Sequence, residues 1–81
     1  MASLTFTVYS RSDCHLCEEM LAELSRLCDG REAAIEVIDI DRDASLSRRY
    51  GLAIPVLAIA GKELCRYRID AEKVKERLMA L

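Results

Sequence analysis

Long apolar runs and clustered charge are both missing from this chain of 81 residues. No segment approaches the roughly 20 consecutive apolar residues that a membrane-spanning helix needs. The net charge is −2 at pH 7, and the acidic and basic residues are interspersed, so there is no basic surface for nucleic acid or for an anionic membrane. We therefore expect neither nucleic acid nor a membrane among the partners.

Proline and glycine are scarce, at one and three residues. No linker, repeat or low-complexity segment divides the chain. A chain of this length has room for one domain with a thin core, and none for a separate substrate domain. We predict a single domain over residues 1–81.

Residues 1–9 lack the basic region and the uninterrupted apolar region of a signal peptide. Their apolar and polar side chains alternate instead, which is typical of a strand. We therefore expect the protein in the cytoplasm, where cysteines are more often catalytic, metal-binding or buried than part of a permanent disulfide framework.

The apolar periodicity predicts seven elements in the order β-α-β-α-β-β-α. The four strands are expected at residues 4–9, 34–40, 56–60 and 64–69. The three helices are expected to begin near Cys14, after residues 41–43 and after Asp70, each behind candidate capping side chains. A helix between two strands implies a right-handed parallel crossover. The fold class is therefore α/β, with a four-stranded mixed sheet flanked by helices.

Two of the strands and two of the glycines carry sharper expectations. The β-branched run of the second strand is typical of a strand buried within a sheet. Gly51 can adopt the left-handed conformation that ends a helix, and Gly61 with Lys62 is expected to form a tight hairpin turn. Two arginines in the last strand indicate that it lies at an edge of the sheet.

The sequence Cys14-His15-Leu16-Cys17 falls where the first strand gives way to the first helix. Unpaired backbone N–H groups at a helix amino terminus carry partial positive charge, so a thiol placed there loses its proton more easily than a free cysteine does. The thiolate is the form that attacks disulfides. In an intracellular α/β protein this spacing indicates first a dithiol redox centre.

The other two cysteines leave further interpretations open. A zinc site would need ligands from His15, Cys28 and Cys65, whose spacing shows no second close pair. Cys28 lies on the apolar stripe of the first helix and is interpreted as a buried small hydrophobe. Cys65 is expected in the core, with a surface thiol that takes an adduct or crosslinks two chains as the alternative. Tyr9 and Tyr50 are interpreted as packing residues with hydrated hydroxyls.

The order of elements, the Cys-x-x-Cys pair and Ile54-Pro55 before the third strand together resemble the thioredoxin fold over essentially the whole chain. More narrowly, the phrases Cys-His-Leu-Cys, Asp-Ile-Asp-Arg-Asp, Arg-Tyr-Gly and Ile-Pro-Val-Leu resemble the glutaredoxin-like family of small bacterial redoxins. The resemblance implies a thiol–disulfide oxidoreductase that reduces or exchanges the disulfides of proteins or glutathione mixed disulfides.

The resemblance also implies roles for individual residues. Cys14 would be the nucleophile that forms the mixed disulfide, and Cys17 would be the resolving thiol. His15 would tune the pKa of the Cys14 thiol, because an imidazolium beside a thiolate stabilises it. The peptide bond between Ile54 and Pro55 would be cis, and the adjacent backbone groups would align an extended substrate.

Glutathione binding, by the same resemblance, would rest on Arg11, with Arg66 or Arg68 holding a carboxylate of the tripeptide. No metal or organic cofactor is expected to be bound permanently, and glutathione would enter only as a co-substrate. The expected partners are a disulfide-containing protein or glutathione and an electron donor, and the chain is expected to be a monomer. A non-catalytic thioredoxin-fold adaptor, a redox sensor and a metal-binding module are the alternatives.

Overall fold

The order of elements is the one that the sequence predicts. The computed structural model describes residues 3–81, so the expectation for the first two residues of the amino-terminal pattern lies outside the described residues. The strands are β1 (Leu4–Ser10), β2 (Ala33–Asp39), β3 (Val56–Ile59) and β4 (Lys62–Arg66). The helices are α1 (His15–Cys28), α2 (Ala44–Tyr50) and α3 (Ala71–Met79), and a 3-10 turn, Ile40–Arg42, joins β2 to α2.

The four strands form one mixed sheet in the order β2-β1-β3-β4. β1 and β2 are parallel, with Leu4 opposite Ala33, as a crossover through α1 requires. β3 is antiparallel to β1, with Leu57 opposite Val8, and β3 and β4 form an antiparallel hairpin. The predicted α/β class with a mixed four-stranded sheet is confirmed, and β4 lies at an edge as predicted.

β2 corrects one expectation, because it lies at the other edge of the sheet instead of in its interior. Its residue Val37 is 51% exposed, and Glu36 is exposed beside it. Ile40 has left the strand for the 3-10 turn, where it is fully buried. A β-branched run suits any pleated, half-buried surface, so the run specifies a strand without specifying that both of its faces are covered.

One face of the sheet carries the larger core. The core strands contribute Phe6 and Val8 from β1 and Leu57 from β3, all fully buried. The buried side chains that α1 and α3 add to this core are Met20, Leu24, Cys28, Val74 and Leu78. Both helices are amphipathic and place these residues at intervals of three or four, which is the helical period. Within residues 3–81, no helix combines the length and the apolar character that crossing a membrane needs.

The opposite face carries a smaller core around α2. Neighbouring residues of a strand point to opposite faces, so Val56 packs here while Leu57 packs in the larger core. Ile40 and Tyr50 are the large buried partners of Val56. The ring of Tyr9 stacks on that of Tyr50, with centroids 4.4 Å apart. The predicted packing role of both tyrosines is confirmed.

The hairpin turn lies one residue earlier than predicted. β3 ends at Ile59 and β4 begins at Lys62, so the two central residues are Ala60 and Gly61, with φ angles of +52° and +81°. Positive φ at both central residues is the requirement of the two-residue turn that matches the twist of an antiparallel pair. Gly61 meets it freely, whereas Ala60 meets it at a steric cost.

Gly51 ends α2 for a different reason from the predicted one. Its φ is −53°, which is right-handed helical and open to any residue. A Cβ at this position would lie 2.5 Å from the carbonyl oxygen of Ser47. Close approach to the backbone of the preceding helical turn, and not a left-handed conformation, therefore favours glycine here.

Candidate active site

The junction between β1 and α1 places Cys14 at the start of a helix. Asp13 has a φ of +56°, which turns the chain before Cys14 adopts an extended backbone as the amino-terminal cap of α1. The Cys14 Sγ accepts a hydrogen bond from the backbone N–H of Cys17 at 3.2 Å. The sulfur of Cys14 thus occupies the place where a helix amino terminus stabilises negative charge.

Cys14 and Cys17 are joined in a disulfide, with their Cα atoms 5.2 Å apart. Cys17 is 2% exposed, because its position one turn into α1 faces the sheet. Cys14 is partly exposed. A partner sulfur can therefore reach Cys14 from solvent and cannot reach Cys17 directly.

The loop before β3 lies at the same end of the sheet as the two cysteines. Val56 is opposite Tyr9 in the antiparallel register of β1 and β3. Pro55 therefore lies alongside Ser10, the residue from which the chain turns toward Cys14. The peptide bond between Ile54 and Pro55 is cis. The register of the sheet, and not proximity in sequence, brings this loop to the cysteine pair.

Tyr67 is a residue of this region that the sequence analysis did not select. Its backbone N–H donates to the carbonyl oxygen of Pro55 at 2.8 Å, and its hydroxyl donates to the carbonyl oxygen of Leu52 at 2.9 Å. These two bonds tie the segment after β4 to both ends of the loop that contains the cis bond. One feature of the sequence could have indicated Tyr67. It is a bulky residue in the short connection between β4 and α3, where a tight turn favours glycine.

His15, predicted to tune the thiol, and Arg11, predicted to bind glutathione, both lie beside a carboxylate. His15 has a side chain that is 85% exposed, and its Nε2 lies 3.6 Å from a carboxylate oxygen of Glu19. Arg11 donates from Nε to both carboxylate oxygens of Asp41, at 3.1 and 3.0 Å. The charge of Arg11 is therefore already matched by a carboxylate from the segment after β2.

Arg66 is also paired. Its Nε and Nη2 atoms donate to the two carboxylate oxygens of Glu63 at 2.6 and 2.7 Å. This two-point contact lowers the pKa of the Glu63 carboxyl and raises the pKa of the Arg66 guanidinium, since each charge stabilises the other. Arg68 is the other arginine that was predicted to hold a glutathione carboxylate. Unlike Arg66, it has no carboxylate oxygen within 4.0 Å in the described part of the chain.

The two remaining cysteines lie outside the pair. Cys28 is buried in the larger core, as predicted, and burial raises the pKa of its thiol. Cys65 is half-buried and packs against the same core. Burial raises the pKa of the Cys65 thiol, an effect partly opposed by the backbone N–H of Asp70, which donates to its sulfur at 3.4 Å. Over residues 3–81, no group of three or more His, Cys, Asp or Glu side chains is arranged to hold a metal ion.

The mixed sheet, its flanking helices and the cysteine pair at the start of α1 define the class as the thioredoxin fold. A thioredoxin mutant from Halobacterium salinarum matches with a TM-score of 0.63 and 20% identity, covering 98% of this chain and 74% of that one. That similarity shows the fold. Residues 5–79 match the family model described as "Glutaredoxin-like domain (DUF836)", and the chain belongs to this family.

Two solved structures are more similar in sequence. The solution structure of protein Ne2328 from Nitrosomonas europaea has a TM-score of 0.83 and 39% identity, covering 96% of this chain and 94% of that one. The X-ray structure of protein XcR50 from X. campestris has a TM-score of 0.69 and 36% identity, covering 94% and 97%. A search of curated proteins found no match.

Proposed function

We propose that the protein is a dithiol–disulfide oxidoreductase in which Cys14 attacks and Cys17 resolves. The observation that carries the proposal is the position of the Cys14 sulfur, partly exposed at the amino terminus of α1 and 3.2 Å from the N–H of Cys17. A helix amino terminus lowers the pKa of a thiol that it contacts, because the partial positive charge of its N–H groups stabilises the thiolate. Cys17 is 2% exposed, so it is placed to attack the Cys14 sulfur and not the sulfur of a substrate in solvent.

The reaction follows from the different roles of the two cysteines. The Cys14 thiolate attacks one sulfur of a substrate disulfide, the substrate S–S bond breaks, and the other substrate sulfur leaves as a thiolate that takes a proton from water. Cys17 then loses its proton and attacks the Cys14 sulfur, which releases the second substrate thiolate. The substrate gains two electrons and two protons, and the chain keeps the Cys14–Cys17 disulfide. A thiol reductant reverses these steps and restores the dithiol.

The remaining assignments are part of the same proposal. His15, next to Cys14, tunes the pKa of the Cys14 thiol through its own charge. The backbone of Ile54 and the ring of Pro55 align the substrate chain, and Arg11 contributes to glutathione binding after release from Asp41. The substrate is a protein disulfide or a glutathione mixed disulfide, and no permanently bound cofactor takes part. The protein acts as a cytoplasmic monomer.

Single cysteine substitutions test the proposal. Cys14→Ser is expected to reduce a protein disulfide no faster than the uncatalysed reaction, because no nucleophile reaches the substrate. Cys17→Ser is expected to accumulate a mixed disulfide, visible as added mass on Cys14, because nothing resolves it. The measurements are stopped-flow disulfide reduction and intact-protein mass spectrometry.

Cys65→Ser is the matched control, since Cys65 is the other cysteine that is not fully buried. This variant should keep the wild-type rate, with folding checked by circular dichroism. A wild-type rate in Cys14→Ser would refute the enzyme assignment. Zinc that copurifies with the chain and protects the Cys14 and Cys17 thiols would favour a metal-binding module instead.

A further inference from the structure

We propose that a cleft beside the cysteine pair binds one aliphatic side chain of a polypeptide substrate, and that Tyr67 makes the protein prefer such substrates to glutathione. This inference rests on the proposed function, because it concerns the substrate of the same dithiol. The cleft lies between α1 and the segment between β4 and α3. Its wall is mixed, with somewhat more polar than apolar surface, and the apolar part comes from Leu16 and Met20 on α1 and from Tyr67 and Ile69 on that segment.

The size of the cleft fits one small apolar group. Its free volume is about 50 Å³. A water-sized group needs roughly 10–15 Å³ of such volume, so the cleft holds about four non-hydrogen atoms, the size of a leucine or valine side chain. Met20 is 2% exposed and forms a buried floor. Apolar surface of this kind gains free energy when a partner removes it from water.

Two residues of the cleft wall, Leu16 and Tyr67, are direct neighbours of the proposed reaction centre. Leu16 lies within the Cys-x-x-Cys sequence, directly before Cys17. On the other side, Tyr67 is tied to the carbonyl oxygens of Leu52 and Pro55 by its hydroxyl and its N–H. A polypeptide with its disulfide at Cys14 therefore has a neighbouring side chain within reach of the cleft. The side chain of Leu52, which is 96% exposed, extends the apolar surface beyond Tyr67.

Charge around the cleft disfavours an anionic ligand. Two carboxylates of α1, Glu19 and Glu23, line the cleft, against one cation, Arg68. Arg11 and Arg66, which also lie near this end of the molecule, are held by carboxylates at hydrogen-bond distance. Glutathione carries two carboxylates. Arg68 can pair with one of them, but pairing the other with Arg11 or Arg66 would displace a bound carboxylate. A neutral aliphatic side chain meets no such cost.

The backbone of Tyr67 gives an independent indication. Its φ is +67°, a conformation that costs a non-glycine residue free energy and that glycine adopts freely. Strained backbone positions occur most often at sites of function. Tyr67 is 46% exposed, so burial in the core does not account for its aromatic ring. Its hydroxyl holds the Leu52 carbonyl oxygen, and its ring is available to form the wall of the cleft.

The test compares disulfide substrates in one assay with the wild-type protein. Short disulfide-linked peptides carry leucine, alanine or aspartate at each position flanking the cysteine, and glutathione disulfide and the small uncharged hydroxyethyl disulfide complete the set. A leucine peptide is expected to have a kcat/KM about tenfold above the alanine and aspartate peptides, which is the discrimination that an apolar pocket provides. Glutathione disulfide is expected to be slower than the leucine peptide.

Two variants separate binding in the cleft from a structural effect. Tyr67→Ala should lower kcat/KM for the leucine peptide about tenfold, mainly through KM, and should lower it far less for hydroxyethyl disulfide, which places no side chain in the cleft. Tyr67→Phe keeps the ring and should keep the preference for leucine. If Tyr67→Ala does not fold, the comparison of peptides in the wild-type protein still decides.

Equal kcat/KM for all peptides, or faster turnover of glutathione disulfide than of the leucine peptide, would overturn the inference while the dithiol reaction stands. An equal loss for hydroxyethyl disulfide in Tyr67→Ala would also overturn it, because a structural effect would then explain the change. Absence of Cys14-dependent turnover with every substrate, hydroxyethyl disulfide included, would instead overturn the proposed function, and the cleft assignment with it.

Discussion

At the scale of single residues, strained backbone conformations occur at the candidate active site and at the hairpin turn between β3 and β4. Among residues 3–81, three non-glycine residues have positive φ: Asp13, Ala60 and Tyr67. Asp13 precedes Cys14, and Tyr67 contacts the Pro55 loop, so both shape the candidate active site. Ala60 lies in the hairpin between β3 and β4, where its side chain contributes nothing that asparagine or glycine could not. Strain at Ala60 is therefore removable without loss of function.

Replacing Ala60 tests this distinction. Asparagine tolerates positive φ much better than alanine and is favoured before glycine in two-residue hairpins. Ala60→Asn is expected to raise the free energy of unfolding by about 0.5–1 kcal/mol, measured by urea denaturation, with the rate of disulfide reduction unchanged. Ala80→Asn is the control, because Ala80 has a φ of −83° and should show no gain. A loss of stability in Ala60→Asn would contradict the strain assignment.

At the scale of elements, α2 depends on both of its ends. With seven residues it is too short to be stable alone. At its amino end the Asp43 carboxylate accepts hydrogen bonds from the backbone N–H groups of Ser45 and Leu46 and from the Ser45 hydroxyl. At its carboxyl end Tyr50 packs against Val56, directly after Pro55. A change in α2 therefore reaches the candidate site through the smaller core.

The Asp43 cap gives a pH-dependent prediction. Hydrogen bonds from the Ser45 hydroxyl and from the N–H groups of Leu46 and Ser45 hold the pKa of the Asp43 carboxyl below its ordinary value of 3.8. The folded state thus binds this proton less readily than the unfolded state, so the stabilisation is present above about pH 3.8 and is lost as pH falls through the folded pKa.

Asp43→Asn isolates this contribution, since asparagine still accepts the N–H bonds but does not titrate. The wild-type protein should have the higher Tm near neutral pH, and the difference should shrink as pH falls below about 3.8. Asp43→Ala, which lacks the cap at every pH, should be the least stable of the three near neutral pH. A difference between wild type and Asp43→Asn that stays constant down to strongly acidic pH would count against the cap.

Gly51→Ala tests the other end of α2. Alanine ordinarily stabilises a helical position by about 1 kcal/mol over glycine. Here its Cβ would meet the Ser47 carbonyl oxygen at 2.5 Å, and such overpacking costs about 1–3 kcal/mol. The variant is therefore expected to be less stable in urea denaturation. Arg48→Ala, in the same helix, should be nearly neutral, and a stabilised Gly51→Ala would refute the close approach.

The elements show where sequence patterns are sufficient. Helical periodicity predicts α1 and α3, and alternation predicts β1, because each pattern reports directly on one buried face. The edge position of β2 could not be read from its β-branched run, since strand order is decided by pairing between distant segments. The turn at Ala60 was missed for a related reason, since register sets which two residues are central.

At the scale of the whole molecule, three distant segments meet at one end of the sheet. The cysteine pair, the loop before β3 and the Tyr67 segment are joined by the β1–β3 register and by the hydrogen bonds of Tyr67. The Cys-x-x-Cys pair was predicted from a local signal at the start of a helix, and the role of the loop before β3 was predicted from the resemblance to the glutaredoxin-like family. The sequence could not predict Tyr67, because its role consists of contacts made across the fold.

The proposed oxidoreductase function depends most directly on the redox behaviour of Cys14 and Cys17. The decisive measurement is an equilibrium titration of the purified protein in buffers of reduced and oxidised glutathione, with acid quenching, alkylation and mass analysis of each cysteine. We predict one reversible two-electron transition, in which a tenfold change in the ratio of the dithiol to the disulfide form of the protein corresponds to about 30 mV. That transition should be confined to Cys14 and Cys17, with Cys28 and Cys65 reduced throughout. Failure of Cys14 and Cys17 to form a disulfide at any ratio would contradict the account.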